Sequence, residues 1–351
     1  MKIIVLPNVG KSTLFNALTK SYAADAANFP FCTIEPNVGI VDVKDPRMVS
    51  LSELSGSKKR IFANITFVDI ALVRGASKGE MGNAFLSHIR EVDAVVQVLR
   101  YFKDTDINHV EEVDPMRDVE IINMELMFSD MEQIERKLPQ LKRKAKGRDA
   151  DVLKEIEALE KAYKVLEGQL LCSAFDPEDK DFVYVRPYNF LTIKPFVYVL
   201  NVGEDDLDSC EKIKKEYEEK LNASVAIVCA KLESDMMEMD DEERELLLED
   251  YGDVPTLDDL ISLAFDTVGL MYYFTTGEKE TRAWTVKKGS TAPQAAAAIH
   301  TDFERFIKAE IVSCVDLLEA GSRNAAKTAQ LRLEKTYIVQ DGDVIHFKFN
   351  V

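Results

Sequence analysis

Over its first 110 or so residues the chain alternates short apolar runs with segments of helical period. Residues 1–5 read as a strand and 12–18 as an amphipathic helix close behind it. Residues 61–69 read as a further strand, and 94–99, apolar on both faces, as a buried parallel one. A different period then takes over. Met124, Met127, Met131, Ile134, Leu138 and Leu141 are spaced 3, 4, 3, 4, 3, the seam of a coiled coil. Val152, Ile156, Leu159, Tyr163, Leu166 and Leu170 repeat it at 4, 3, 4, 3, 4, and the polar stretch 146–151 between the runs reads as a turn. Together they predict an antiparallel helical hairpin whose first arm is kinked at Pro139. Strand signals return at 195–201 and 224–229, so the hairpin is an insertion within one α/β domain. From about residue 270 a small α+β module is expected: a strand at 282–286, a helix start at 292–296, and two strands about a turn over 337–347.

Composition alters this picture little. A chain of 351 residues should form two or three domains, and 46% hydrophobic with 30% charged residues is ordinary for a soluble globular protein. No apolar run approaches the roughly 20 residues that span a bilayer, and no secretory segment follows Met1. Cys32, Cys172, Cys210, Cys229 and Cys314 are scattered without a CxxC pair. Neither a disulfide framework nor a zinc site is expected, and the reducing cytoplasm is the expected compartment. A net charge of −18 opposes indiscriminate binding to nucleic acid. Against it, Arg136, Lys137, Lys142, Arg143, Lys144, Lys146 and Arg148 cluster with no acid among them. Such a run is ordinarily a solvated helix face; here it is also the best candidate for a polyanion contact.

Candidate chemistry begins where the first strand meets the first helix. Leu6-Pro7-Asn8-Val9-Gly10-Lys11-Ser12-Thr13 has the layout of a phosphate-binding P-loop, although Val5 stands where the pattern wants its first glycine. Backbone N–H groups and the helix's positive end would cradle phosphates, Lys11 would neutralise them, and the Ser12 hydroxyl would reach Mg²⁺. Such enzymes also need a loop threonine and a strand-end aspartate at the metal, for which Thr33 and Asp69 are the candidates. Asn201, at the tip of a later strand, sits where a base-reading residue belongs. Gly-Lys-Ser occurs by chance in many turns; the ordered set carries the weight.

These strings, with Asn28-Phe29-Pro30-Phe31-Cys32-Thr33-Ile34-Glu35-Pro36-Asn37, Gly75-Ala76-Ser77-Lys78-Gly79-Glu80, Arg282-Ala283-Trp284-Thr285, His300-Thr301-Asp302-Phe303-Glu304 and Asp341-Gly342-Asp343-Val344, span the chain. The whole chain resembles the YchF family of Obg-like ATPases, a branch of the Obg-related P-loop NTPases. The resemblance implies an α/β P-loop G domain (1–115 and 180–268), an inserted antiparallel coiled-coil hairpin (116–179) and a C-terminal α+β TGS domain (269–351). It implies hydrolysis of ATP in preference to GTP, a link with ribosomes and stress regulation, Mg²⁺ as cofactor, and no membrane. Asn8, Val9, Gly10, Lys11, Ser12, Thr13, Phe31, Asn201, Val202, Glu204 and Ala230 are then the nucleotide-binding candidates, and Ser12, Thr33 and Asp69 the metal ones.

Base preference has a physical account. Ordinary GTPases use Asn-Lys-x-Asp, whose carboxylate takes two guanine N–H groups; here the string is Asn201-Val202-Gly203-Glu204. Its acid is a methylene longer and the bracing lysine is absent, so ATP is expected. Glu204 reaching guanine anyway would leave an ordinary Obg-type GTPase. Catalysis is less direct. Leu72 stands where a glutamine would orient water, so a polar group must arrive from elsewhere, and His109 is the candidate. His88, in a predicted helix, and His300 and His346, in the terminal module, are less apt. Slow turnover, aided by K⁺ or a partner, is expected. A third alternative is a non-hydrolysing scaffold in which the hairpin and TGS domain dock on RNA or protein.

Against the family pattern single glycines are absent after Ile3, Val5, Ala71, Glu80, Arg305, Ala329 and Glu334, and the 15 glycines present are few beside a usual value of about 7%. Seven losses of one residue type are implausible in a folded enzyme. The written sequence is therefore expected to omit residues that the molecule carries. A Cα–Cα step of about 7 Å at Val5–Leu6, in place of about 3.8 Å, would show it.

Overall fold

The computed structural model describes residues 2–5, 10–21, 37–69, 83–103, 113–147, 149–168, 170, 180–240, 242–244, 246–247, 254–299, 307–322 and 337–349. These residues fall into two compact units, the first within 1–21, 28–39 and 66–260, the second within 22–27, 40–65 and 261–351.

One sheet brings together β1 (Lys2–Val5), β4 (Ala63–Asp69), β5 (Val95–Arg100), β6 (Phe196–Asn201) and β7 (Val225–Val228), with β2 (Asn37–Val43) at its edge; β1, β5, β6 and β7 lie wholly in the first unit, which takes β2 as far as Gly39 and β4 from Thr66 onward. The order is β2-β4-β1-β5-β6-β7. β1 runs parallel to β4 and β5, β5 to β6, and β6 to β7. Every residue of β5 and β6 is buried, the consequence of a parallel sheet covered on both faces. One face packs Val95, Leu99, Tyr198 and Leu200 against Val119, Ile122 and Leu126 of the helix Pro115–Lys144.

That helix is the first arm of the expected hairpin, and Ala150–Leu166 is the second. Asp114 caps the first arm through the amides of Met116 and Arg117 at 3.1 and 3.2 Å. Asp149 caps the second through Asp151 at 3.0 Å. The helix continues through Pro139. The seam is as read at Ile134, Leu141, Ile156, Leu159 and Leu166, which form one apolar cluster. It differs lower down: Met124 is 45% exposed, and Val119, Ile122 and Leu126 face inward instead. The arms have 30 and 17 residues, so the lower first arm packs on the sheet and follows the sheet's face.

A polar junction fixes that lower arm. Asp130, fully buried, accepts the amides of Leu191 and Thr192 at 3.0 and 2.8 Å and the Thr192 hydroxyl at 2.8 Å. Arg90, ending the helix Asn83–Arg90, lies 3.5 Å from it. Burial pushes the Asp130 carboxyl above its ordinary range, opposed by these donors and by Arg90. Lys194 donates to the carbonyls of Arg90 and Val92 and to the Asn189 side chain.

The second unit carries a sheet of order β10-β11-β8-β9-β3, made of β3 (Arg60–Ile61), β8 (Leu270–Thr276), β9 (Thr281–Lys287), β10 (Ile307–Ser313) and β11 (Asp343–Phe349). β8 and β9 form an antiparallel hairpin, and β11 lies antiparallel to β10 and parallel to β8. The helix Pro46–Ser55 belongs here: Thr276 Oγ1 bonds Ser55 Oγ at 2.7 Å, and Arg47 pairs with Asp341 at 2.8 Å. The expected pair of strands over 337–347 is corrected, since only its second half is a strand. The Tyr337 carbonyl accepts the Ala292 amide and the Val339 amide donates to the Ser290 carbonyl, both at 2.9 Å, so this stretch bridges to 290–292 and not to β11. The Val5–Leu6 step lies outside the described residues, because Leu6 does.

Two stability predictions follow from the first unit. Asp130→Ala strands three donors and Arg90, and should cost about 3–5 kcal/mol, read as a lower urea midpoint. Glu233, 8% exposed, accepts the Leu257 amide at 3.1 Å, and burial pushes its carboxyl up to about 7 from 4.5. The folded state thus holds a proton that the unfolded chain releases, so stability falls as pH rises from 4.5 to about 7. Glu233→Gln should match the parent near pH 5 and exceed it by about 2–3 kcal/mol near pH 8 in urea titrations. Equal differences at both pH values would contradict this.

Candidate functional site

Strands of a parallel sheet end on a common edge, so residues far apart in sequence converge there. In the first unit the ends of β5, β6 and β7 and the start of the helix Lys11–Ser21 enclose a cavity of about 670 Å³, of a size for a small-molecule ligand. Gly10 and Thr13 line it from the helix start, Asn201 from the end of β6 and Val202 to Asp205 from the segment after it, and Ala230, Lys231, Ser234 and Asp235 from the segment after β7. Phe102 and Lys103 close it from beyond β5.

Asn201 joins these segments. It is 3% exposed, and its Oδ1 accepts the Ala230 amide at 3.0 Å. Its backbone carbonyl accepts the amides of Tyr101 and Phe102 at 2.9 and 3.1 Å. Gly10 has φ +79, and a Cβ there would run into the Asn201 side-chain amide. Only glycine combines that positive φ with that approach. The Gly10 carbonyl accepts the Leu14 amide at 2.9 Å and so starts the helix.

Glu204 and Lys231 face one another across the cavity rim, Oε1 to Nζ 3.0 Å, with side chains 34% and 74% exposed. The Glu204 carboxylate pushes the Lys231 ammonium up. An exposed pair of this kind adds little stability, but it sets where the Glu204 carboxylate rests.

Of the residues singled out in sequence, Gly10, Thr13, Asn201, Val202, Glu204 and Ala230 line this one cavity. Ser12 is exposed in the first helical turn, and Lys11 is its first residue, with its side chain outside the described residues. Asp69 ends β4 level with Ile3 of β1, its side chain likewise outside. Asn8, Val9, Phe31, Thr33, Leu72 and His109 lie outside the described residues altogether. Sequence reading missed Phe102, Lys103, Asp205, Lys231, Ser234 and Asp235. Their one available signal was position, just past the ends of β5, β6 and β7.

Of the basic cluster, Arg136, Lys137, Lys142, Arg143 and Lys144 sit on the first hairpin arm. Lys142 pairs with Glu160 at 2.6 Å, Lys137 lies 5.7 Å from the Tyr188 ring centroid, and Arg143 and Lys144 are exposed. The side chains of Lys146 and Arg148 lie outside the described residues. No helix among the described residues is long and apolar enough to cross a membrane.

Comparison with known proteins agrees along the whole chain. Residues 2–134 match the family described as 50S ribosome-binding GTPase, and residues 270–350 match the YchF GTPase C-terminal family, described as a protein of unknown function. The chain is 48% identical over 362 positions to the ribosome-binding ATPase YchF of Bacillus subtilis, covering 99% of this chain and 98% of that protein. It is 47% identical over 358 positions to its namesake in Haemophilus influenzae, with the same coverage. The structure of the Schizosaccharomyces pombe YchF GTPase superposes with a TM-score of 0.87 at 37% identity, covering 99% of this chain and 97% of that one. Alignments of 358 and 362 positions leave at least seven positions of each relative without a counterpart among these 351 residues.

Proposed function

The chain belongs to the YchF family of P-loop NTPases, and on that footing we propose a Mg²⁺-dependent switch that hydrolyses ATP in preference to GTP and acts on the ribosome in the cytoplasm. The observation that carries the base preference is the arrangement of Asn201, Glu204 and Lys231. Asn201 is buried at the cavity's floor, where a side-chain amide can pair with the edge of a purine. Guanine selection needs a carboxylate aimed at the ring N1–H and the exocyclic N2 amino group together. Glu204 instead rests on Lys231, 3.0 Å away, and Val202 occupies the place of the usual lysine. Adenine asks for no such acceptor.

The phosphate end would rest on Gly10 at the helix start, with Asn8, Val9, Lys11, Ser12 and Thr13 the partners that the motif assigns to it. Mg²⁺ fits the donor set: the exposed Ser12 hydroxyl and the Asp69 carboxylate at the end of β4 are hard oxygen ligands, with Thr33 the third candidate. When bound, the ion would neutralise charge on the transferring phosphoryl group. Lys11 would share that task and His109 would position water, with slow turnover and K⁺ or a partner assisting. Ribosome action is supported by the names of the relatives and by the exposed Arg143 and Lys144 on the hairpin arm. GTP is the second reading, because two of the matches carry GTPase in their descriptions.

Calorimetric titration with each nucleotide and Mg²⁺ tests the preference. Wild-type protein should bind ATP about tenfold or more tightly than GTP. Val202→Lys with Glu204→Asp, which rebuilds the guanine reader, should move the ratio about tenfold towards GTP, the size of one good polar contact. Tighter GTP binding by the wild type would establish the second reading instead.

A further inference from the structure

Arg100, the last residue of β5, stands directly opposite Asn201 in the parallel ladder, so both side chains leave the sheet on one face. It is 5% exposed. A guanidinium cannot shed its charge on burial, and burying an ion is costly unless its surroundings compensate it. Here compensation centres on one neighbour. Nε donates to the Phe102 carbonyl at 3.2 Å, and Cζ lies 4.7 Å from the centroid of the Phe102 ring. Nη1 has no hydrogen-bond partner among the described residues. Phe102, in turn, lines the cavity together with Asn201 and Val202.

The guanidinium therefore grips Phe102 twice, by its backbone and by one face of its ring. We propose that Arg100 is a positioning residue for the base: it holds the Phe102 ring as a stacking platform and places a fixed positive charge behind it. This rests on the nucleotide reading above but not on which purine is preferred, since every base presents a π-face. The arrangement also accounts for an orphaned donor in a buried place. Among the described residues Arg100 is held by the Phe102 ring and carbonyl and by no carboxylate, and lysine cannot reproduce a planar contact and an Nε–H together.

The test is a double-mutant cycle on the full chain, read by calorimetric titration with ATP and Mg²⁺. Phe102→Ala should weaken ATP about tenfold to a hundredfold, the usual value of one stacked base. Arg100→Met should weaken it about tenfold, with GTP affected alike, and should add nothing in the Phe102→Ala background. In phosphate-release assays the loss should appear in KM and not in kcat, as uniform binding energy requires. Arg100→Lys, which keeps the charge, should fall between parent and Arg100→Met, and it replaces that variant in the cycle should Arg100→Met fail to fold. Additive losses in the cycle, or full ATP affinity without the guanidinium, would overturn the proposal. Wild-type protein that bound neither nucleotide would overturn both this proposal and the reading beneath it.

Discussion

The site hangs on one buried amide. Asn201 takes the Ala230 amide at 3.0 Å with its side chain, takes Tyr101 and Phe102 with its carbonyl, and abuts Gly10 so closely that no side chain fits there. Four segments separated by up to 220 positions are thereby fixed at one point: the helix start, the ends of β5 and β6, and the turn after β7. Fully buried, mostly apolar strands make the point rigid. β5 and β6 cannot slip by one residue without moving buried valines and leucines to the wrong face. A side chain at the tip of such a strand is held by the core beneath it, and precision at a ligand follows.

A second polar anchor lies at the opposite end of the same strands. The Asp130 carboxylate collects the amides that lead into β6, while Arg90 and Lys194 gather the chain that leads into β5. The lower hairpin arm is thus held both by apolar packing on the sheet and by a junction that saturates the turns around it. This explains why the coiled-coil period fails there. The arm answers to two surfaces in succession, the sheet at Val119, Ile122 and Leu126, then the second arm from Ile134 onward.

Much of this architecture was legible in the sequence, because burial writes itself as period. The runs at β5, β6 and β7 and the seam from Ile134 to Leu166 could be read directly. What depends on remote backbone pairing could not. Nothing local says that Tyr337 and Val339 bond residues 290–292 and forgo a hairpin, or that residues 40–65 join the terminal unit through Arg47, Ser55 and Ser57. At the site, Gly10, Asn201 and Glu204 were visible through their motifs. Phe102, Arg100 and Lys231 were not, since an aromatic or a cation after a strand carries no signal until the partner it touches is known.

The most direct measurement of the central claim is a crystal structure of the full chain with Mg²⁺ and a non-hydrolysable ATP analogue. The account predicts the purine inside the cavity, its edge within hydrogen-bond distance of the Asn201 side chain, and Glu204 still paired with Lys231. A nucleotide bound elsewhere, or a base held by the Glu204 carboxylate with Asn201 out of reach, would contradict it.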